Sequence, residues 1–299
     1  MRPVTVVTDT THYLPNDLRR RLGVEQVSLY VSWGDESQRE SDLPGYDDFY
    51  ARLRSSTELP STSQPSVGDF LEVYEPHLAA GHDIVSIHLS GGISGTYGAA
   101  VQAKALVDER RDRDRADGGE AGGGRVVVID TETACGGLAC LVLAAAAGAR
   151  AGEDVDAVAA RVHEARAELK VWFSIDTLEF LRRGGRVGNA QAWLGGALKI
   201  KPILSVGREI TPIERVRTSG RAFERMVDYM RSRHDDGADC WVVQHIQAPD
   251  RADQLVARGR EIFGTEPEFV SELGPVIGTY TGPGMLGVCG MPTRFVDPA

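Results

Sequence analysis

The chain has 299 residues, of which 42% are hydrophobic and 25% are charged, and its formal net charge is −10. This composition is typical of a soluble globular protein with one large domain or two ordinary ones. The negative charge argues against non-specific binding to nucleic acid or to anionic membranes, and no apolar run is long enough to cross a bilayer. The first residues lack a signal-peptide pattern, so we expect a cytoplasmic protein without stable membrane insertion.

Elements in the first half follow a strand–helix alternation. Strands are predicted over Val4–Thr8, Val24–Val31, Ile84–Leu89 and Arg125–Ile129. Helices are predicted over Asp47–Arg54, Val67–Leu78, Thr96–Val107, Gly136–Arg150 and Asp154–Leu169. The helix ending at Arg150 is apolar on most faces and should be buried. Two segments are predicted to lack regular structure: Leu59–Ser66, as a hydroxyl-rich loop, and Asp108–Gly124, as a helix end running into a mobile surface loop.

The pattern changes at Lys170, which places a domain boundary near 165–172, with an N-terminal lobe over 1–168 and a C-terminal lobe over 169–299. Strands are predicted over Lys170–Ile175, Ile203–Val206, Ile210–Val216 and Cys240–Ile246, and Glu268–Ser271 and Val276–Tyr280 close the pattern. Helices are predicted over Thr177–Arg182, Ala222–Arg233 and Asp250–Ile262. The fold class is therefore α/β, with an N-terminal doubly wound, mostly parallel sheet and a C-terminal mixed α+β domain.

The cysteines indicate neither a disulfide framework nor a metal site. Cys135, Cys140, Cys240 and Cys289 lack C-x-x-C spacing, and the seven histidines form no metal-ligand pattern. We therefore expect reduced, buried or half-buried thiols, no metal and no cofactor.

The loop Ser90–Thr96 carries the clearest chemical signal. It follows an apolar strand and precedes a helix, which is where open α/β sheets bind ligands. Its glycines allow close approach, and helix N-terminal N–H groups together with hydroxyls form a cradle for an anion. The sequence thus predicts a site for a carboxylate or phosphate, although the same residues also suit an ordinary turn and helix cap. The order Gly92-Ile93-Ser94-Gly95 does not fit the nucleophile elbow G-x-S-x-G.

A basic stretch follows in the second half. Arg182–Arg221 contains two acids and nine cations, namely Arg182, Arg183, Arg186, Lys199, Lys201, Arg208, Arg215, Arg217 and Arg221. A basic island in an acidic protein favours an anionic ligand or an acidic partner, and the alternative is a solvated surface with scattered ion pairs. The run Arg182–Arg186, with two glycines between arginines, favours carboxylate or phosphate recognition.

Enzyme motifs are weak in this chain. Gly282–Gly287 matches G-x-G-x-x-G but stands too near the end for the rest of a dinucleotide-binding unit, so we interpret it as a glycine-rich turn that closes over another ligand. No Ser-His-Asp order, glycosidase carboxylate pair or Walker sequence can be assembled. This favours a binding protein.

A series of segments resembles the DegV family, in the family's order and over about residues 3–290. These segments are Val6–Thr11, Thr62–Ser66, Leu89–Tyr97, Val128–Leu138, Leu178–Val187, Lys201–Leu204, Arg215–Thr218 and Gly274–Gly287. The resemblance implies a two-lobe protein of the EDD fold that buries one long-chain fatty acid, such as palmitate, between its lobes and has no catalytic activity of its own.

The resemblance also implies roles for individual residues. The carboxylate contacts of the family map onto Thr62 and Ser94, and the supporting positions are Ser63, Gly95, Thr96, Arg186, Tyr280 and Thr281. Related proteins are acyl-binding subunits of a fatty acid kinase, which present the carboxylate to a separate ATP-dependent subunit and supply acyl phosphate to phospholipid synthesis. Residues facing the acyl phosphate or that partner would be Arg182, Arg183 and Arg217.

Two departures from the family pattern keep other functions open. Many relatives have histidine at the position of Tyr280, and a tyrosine does not titrate near neutral pH. The Ser-Ser of the central motif is Ser90-Gly91 here, so one hydroxyl is absent. The alternatives are a small-substrate phosphotransferase, a Ser94-dependent hydrolase and a lipid-responsive regulatory protein.

Overall fold

The computed structural model describes residues 2–116, 124–194 and 200–297. The strands are β1 (Val4–Asp9), β2 (Val24–Val27), β3 (Tyr30–Trp33), β4 (Glu36–Arg39), β5 (Ser61–Ser63), β6 (Asp83–His88), β7 (Val126–Asp130), β8 (Lys170–Ser174), β9 (Lys201–Val206), β10 (Ile210–Val216), β11 (Cys240–His245), β12 (Val270–Glu272) and β13 (Leu286–Met291). The helices are α1 (Asn16–Leu22), α2 (Asp47–Ser55), α3 (Val67–Ala79), α4 (Thr96–Ala116), α5 (Gly136–Arg150), α6 (Val155–Glu168), α7 (Glu179–Arg183), α8 (Ser219–Asp235), α9 (Pro249–Phe263) and α10 (Pro275–Thr281).

A parallel sheet forms the first half, with strand order β2-β1-β6-β7. Successive side chains of a strand point to opposite faces, so Val6 and Val85 pack against α5 and α6, whereas Val7 and Ile84 pack against α3 and α4. Helices on both faces bury the sheet, which explains the near-continuous apolar strands. The predicted doubly wound parallel sheet is confirmed.

A mixed sheet forms the second half, with strand order β10-β9-β8-β13-β11-β12. Its neighbours are antiparallel except for the parallel pair β11 and β12. Helices α8 and α9 cover one face, and α5 packs against the other. Residues 138–146 of α5 are all buried because the helix lies between the two sheets. The predictions of a mixed C-terminal architecture and of a buried, apolar α5 are confirmed.

A small antiparallel sheet, β4-β3-β5, corrects two predictions. The segment Val24–Val31 is not one strand, because the chain turns after Val27 and the next strand pairs with β4 and β5. Side-chain bonds hold that turn, since Ser28 Oγ donates to Leu29 O and Leu29 N donates to Thr10 Oγ1. The predicted loop Leu59–Ser66 contains β5, whose backbone pairs with β3.

Helix α4 is longer than the pattern predicts. It continues past Val107 to Ala116, with the i,i+4 pairs Lys104–Asp108 and Glu109–Arg113 on its surface. The rest of the predicted mobile loop, residues 117–123, lies outside the described residues.

Near the C-terminus, Val276–Tyr280 is helical and belongs to α10. Its β-branched residues favour a strand, but Pro275 occupies the first helical turn and Glu40 accepts a hydrogen bond from Val276 N. The sequence pattern does not predict the glycine-containing strand β13, which lies at the centre of the second sheet.

The division into 1–168 and 169–299 remains a prediction. Strands up to β7 form the first sheet and the small sheet, and strands from β8 onward form the second sheet. Helix α10 nevertheless contacts α2, β3 and β5 from the first part of the chain. None of the described helices combines the length and apolarity that crossing a membrane requires.

Candidate functional site

A cavity lies between the second sheet, the N-terminal end of α5, and α10. It holds about 860 Å³ of space, its open mouth included. Most of its wall is apolar, and the polar lining residues are Thr62, Ser94, Arg186, Gln244, Tyr280 and Thr281. A wall that is largely apolar and carries a few polar groups is typical of a site for an apolar small molecule.

The apolar body of the cavity is formed largely by alternate residues of β8, β13 and β11. Val171 and Phe173 face it from β8, and Gly287 and Cys289 face it from the neighbouring β13. Residues two apart on a strand share a face, so an alternating strand presents a continuous apolar wall. Ala134 and Gly136, at the start of α5, close the opposite side.

The polar end of the cavity is formed by residues far apart in the chain. Thr62 Oγ1 on β5 lies 2.6 Å from Tyr280 Oη on α10. The Arg186 guanidinium carbon lies 4.9 Å from the Tyr280 ring centroid, and Arg186 Nε donates to Ile93 O over 3.3 Å. A guanidinium over an aromatic face is held without losing its charge, so this end combines hydroxyl donors with a cation.

Ser94 lies at the same end, in the loop after β6. Its hydroxyl lies 2.9 Å from Thr96 Oγ1 and accepts a hydrogen bond from Thr96 N. The neighbouring amides also have internal acceptors, because Gly91 N donates to Asp130 Oδ1, Gly92 N to Ser90 Oγ, and the amides of residues 93 and 94 to Ser90 O. These backbone donors of the predicted anion cradle are therefore engaged within the protein, and of its hydroxyls it is Ser94 that lines the cavity.

Two glycines allow these segments to meet. A Cβ on Gly95 would collide with the Gln64 side-chain amide, so the segment Thr62–Ser66 packs directly on the Ser94 loop. A Cβ on Gly184 would collide with the Tyr280 ring. The glycines of both motifs therefore serve close packing between segments.

The predicted site residues fall into two groups. Thr62, Ser94, Arg186, Tyr280 and Thr281 line the cavity. The supporting residues Ser63, Gly95 and Thr96 do not contribute to its wall: Ser63 is exposed on the other face of β5, Gly95 packs on Gln64, and Thr96 is buried beneath Ser94. The structure brings together the two residues predicted to bind the carboxylate, Thr62 and Ser94, at one end of one cavity.

The arginines predicted to face a partner lie outside the cavity. Arg182 is exposed and forms an ion pair with Glu179 over 2.6 Å. Arg183 is exposed and donates to Thr57 O, and Arg217 is exposed after β10. Their exposure permits contact with a partner.

The rest of the basic stretch does not form one site. Lys201 pairs with Asp176 over 2.6 Å and Arg208 with Glu132 over 3.3 Å, and Arg215 lies over the Trp193 ring. Lys199 lies outside the described residues. Among the described residues of the stretch, Arg186 is the one that lines the cavity.

The four cysteines are free thiols in the structure, and three of them are buried. Cys135 and Cys289 line the cavity, and Cys140 Sγ lies 3.6 Å from Cys289 Sγ. Burial raises the pKa of the Cys135 thiol, which keeps it protonated and weakly nucleophilic.

Sequence reasoning missed two buried polar residues near the site. Gln244 lies in the cavity wall and is 2% exposed; its one signal is a polar residue within the apolar strand 240–246. Glu40 is 2% exposed and accepts hydrogen bonds from Tyr13 Oη and Val276 N, both over 2.8 Å. Burial raises the pKa of Glu40 to about 7. Glu40 thus anchors the helix that carries Tyr280, and no local pattern marks it.

Comparison with known proteins gives matches over nearly the whole chain. The family model described as an uncharacterised protein of the DegV family matches residues 3–293. A DegV domain-containing protein of Streptomyces coelicolor is 38% identical over 292 residues, covering 96% of this chain and 98% of the relative. Protein DegV of Bacillus subtilis is 32% identical over 293 residues, with coverage of 96% and 98%.

Two solved structures share the fold. A DegV family protein from Thermus thermophilus, described by its fatty acid binding, superimposes with a TM-score of 0.83 at 33% identity, covering 97% of this chain and 99% of that one. DegV from Bacillus subtilis, described as a fatty acid binding protein, gives a TM-score of 0.85 at 31% identity with the same coverage. From the whole-length family match and these relatives, the chain belongs to the DegV family.

Proposed function

We propose that this protein binds one long-chain fatty acid, with its acyl chain in the apolar body of the cavity and its carboxylate at the polar end. The observation that carries the proposal is the division of one cavity wall into an apolar body and an end bearing Thr62, Ser94, Arg186 and Tyr280. The descriptions of the two solved relatives as fatty acid binding proteins support it.

The energetics of the proposal favour the acyl chain. A sixteen-carbon chain buries roughly fifteen methylenes at ~0.8 kcal/mol each, about 12 kcal/mol before the costs of association. A hydrogen bond from a neutral hydroxyl adds about 0.5–1.5 kcal/mol net, and one to a charged group up to ~3 kcal/mol. The carboxylate contacts therefore orient the ligand, and the chain supplies most of the affinity.

Isothermal titration with palmitate and with its methyl ester tests this assignment. We expect palmitate to bind one molecule per chain and the ester to bind about tenfold more weakly, since the ester loses the charge that the polar end receives. Equal affinity for both would contradict the placement of the carboxylate, and no binding of either would contradict fatty acid binding itself.

In the proposed function, the protein binds the fatty acid and catalyses no reaction itself. A serine nucleophile needs a neighbouring general base to take its proton. Ser94 Oγ forms hydrogen bonds with the hydroxyl and the backbone N–H of Thr96, and neither group can serve as that base. We expect no labelling of Ser94 by an alkyl fluorophosphonate, as read by peptide mass spectrometry. Stoichiometric labelling at Ser94 would favour a hydrolase.

The proposal includes presentation of the bound carboxylate, in the cytoplasm, to a separate ATP-dependent kinase subunit. The carboxylate end lies beside the exposed α7 segment, whose Arg183 and neighbouring Arg182 can meet an acidic partner or the acyl phosphate. Palmitate-loaded protein would be incubated with ATP and a purified fatty acid kinase catalytic subunit, and hydroxylamine would trap the acyl phosphate. We expect trapped product with the wild type and less with Arg183→Glu at unchanged palmitate affinity, and no product would contradict the presentation step.

A further inference from the structure

One polar side chain interrupts the apolar body of the cavity. Gln244 on β11 is 2% exposed and lines the cavity, opposite Gly287 in register. Gly287 in turn lies opposite Phe173 on β8, so the three residues form one row across adjacent strands. Strands are about 5 Å apart, which places Gln244 roughly 10 Å across the sheet from Phe173. Gln244 therefore lies in the wall of the apolar body, whereas the polar end of the cavity is formed by other elements.

The hydrogen bonds of Gln244 fix the orientation of its amide. Its Nε2 donates to the backbone oxygen of His12 and to Ser271 Oγ, both over 3.1 Å. A backbone carbonyl only accepts, so rotating the amide by 180° would place two acceptors together at His12. The amide nitrogen is thus directed toward His12, and Oε1 is directed away from it.

The amide oxygen of Gln244 is buried and has no hydrogen-bond partner among the described residues. It lies beside Gly136, where an added Cβ would be 3.3 Å from Oε1, 3.0 Å from Val242 Cγ2 and 2.9 Å from Cys289 Sγ. All of these residues line the cavity. Buried acceptors are normally paired, and an unpaired one in an apolar wall is costly.

We propose that Gln244 accepts a hydrogen bond from a hydroxyl group along the acyl chain, so that the cavity favours a hydroxylated long-chain fatty acid over the unsubstituted one. This inference rests on the proposed function and specifies its ligand class. The donor is neutral, because an ammonium group in this apolar wall would lose its hydration without a charged partner. The hydroxyl lies within the chain and not at its carboxylate, since the carboxylate is held by the residues at the polar end.

Competition binding with a positional series of monohydroxyoctadecanoic acids, measured against octadecanoic acid, tests the inference. In the wild type we expect one isomer, or a few adjacent isomers, to bind about fivefold to tenfold more tightly than octadecanoic acid, the effect of one neutral hydrogen bond. If every isomer binds as weakly as octadecanoic acid or more weakly, the inference is overturned. If octadecanoic acid also fails to bind, fatty acid binding itself is contradicted.

Substitutions at the same position separate the oxygen from the rest of the wall. Gln244→Leu and the unbranched Gln244→Met should each abolish the preference for the hydroxylated isomer while still binding octadecanoic acid. Two different side chains are used so that the test still stands if one of the variants fails to fold. Ser271→Ala is the matched control, because it removes one partner of Nε2 and leaves Oε1 in place, so the preference should remain. A preference that survives in a folded Gln244→Leu or Gln244→Met protein would overturn the inference.

Discussion

The two ends of the cavity are formed by different kinds of structure. The apolar body comes from regular elements, chiefly β8, β13, β11 and the buried α5, whose side chains face inward at fixed intervals. The polar end comes from a three-residue strand, a glycine-rich loop and a seven-residue helix, and its central hydrogen bond joins residues 218 positions apart. We therefore expect the sheet to supply most of the affinity for the fatty acid, and the loop, the short strand and the short helix at the polar end to fix its orientation.

Filling the apolar body of the cavity should weaken fatty acid binding more than any other change. Gly287→Leu places a side chain in the cavity, where its Cβ would lie 2.9 Å from the flexible Met285 Cε and 3.5 Å from Phe173 Cβ. Its four carbons displace about four methylenes of ligand at ~0.8 kcal/mol each, so palmitate affinity should fall roughly two-hundredfold. Gly98→Leu, at a glycine with open space on α4, is the control in titration and thermal unfolding. Unchanged affinity in folded Gly287→Leu would place the acyl chain elsewhere.

The next prediction concerns Glu40, which holds the start of α10, and its pH-dependent contribution to the free energy of unfolding. Burial raises the pKa of Glu40 from 4.5 to about 7, so folding favours its protonated form. This stabilising contribution is fully present below about pH 4.5 and is lost as pH rises through about 7. Relative to Glu40→Gln, the wild type should therefore lose up to about 3 kcal/mol of unfolding free energy between these limits.

Urea unfolding of both proteins across this pH range measures that difference. Burial lowers the pKa of His12 to about 4, so His12 acts in the opposite direction, but it is present in both proteins and cancels. Exposed Glu36→Gln is the control, because it removes a surface carboxylate and leaves Glu40 in place. A difference between the wild type and Glu40→Gln that stays constant across this pH range would contradict the buried-carboxyl assignment.

A smaller loss of palmitate affinity is expected from substitutions at the polar end. Ser94→Ala or Thr62→Ala should weaken palmitate binding by about 1–2 kcal/mol each, because each removes one donor to the carboxylate and leaves the apolar body unchanged. Ser63→Ala is the matched control, since this hydroxyl is next to Thr62 but faces away from the cavity. Titration that finds Ser63→Ala as damaging as Thr62→Ala would contradict the site.

The smallest effect is expected at the exposed cation. Arg186→Gln should reduce palmitate affinity by less than about 1 kcal/mol, because water and salt screen an exposed ion pair. The dependence of affinity on ionic strength should weaken in this variant and persist in Arg182→Gln, whose guanidinium is paired with Glu179. Titrations at two salt concentrations measure this, and an identical salt response in both variants would remove Arg186 from the site.

The same comparison separates what the sequence predicts from what it does not. Periodicity predicts β8, β11 and α5 of the apolar body, since alternation in β8 and the all-round apolarity of α5 follow from local burial, but it does not predict the glycine-containing β13. It fails where long-range contacts override propensity: Val276–Tyr280 is helical because Glu40 and Tyr50 hold the start of α10, with Tyr50 Oη donating to Leu273 O and Gly274 O.

The polar end could be predicted only through resemblance to a family. The local pattern Ser90–Thr96 indicates an anion site, but nothing local indicates that the loop amides are used internally or that Thr62 meets Tyr280. The position of Gln244 Oε1 depends on bonds to residues 232 and 27 positions away, which no window of sequence contains.

Native mass spectrometry of the purified protein, followed by organic extraction and identification of what is released, shows whether the cavity holds a fatty acid. We expect a mass increment of one fatty acid per chain, which Gly287→Leu loses and Gly98→Leu keeps. A wild-type protein whose measured mass is that of the polypeptide alone, and which takes up no added palmitate, would show that this cavity is not a fatty acid site.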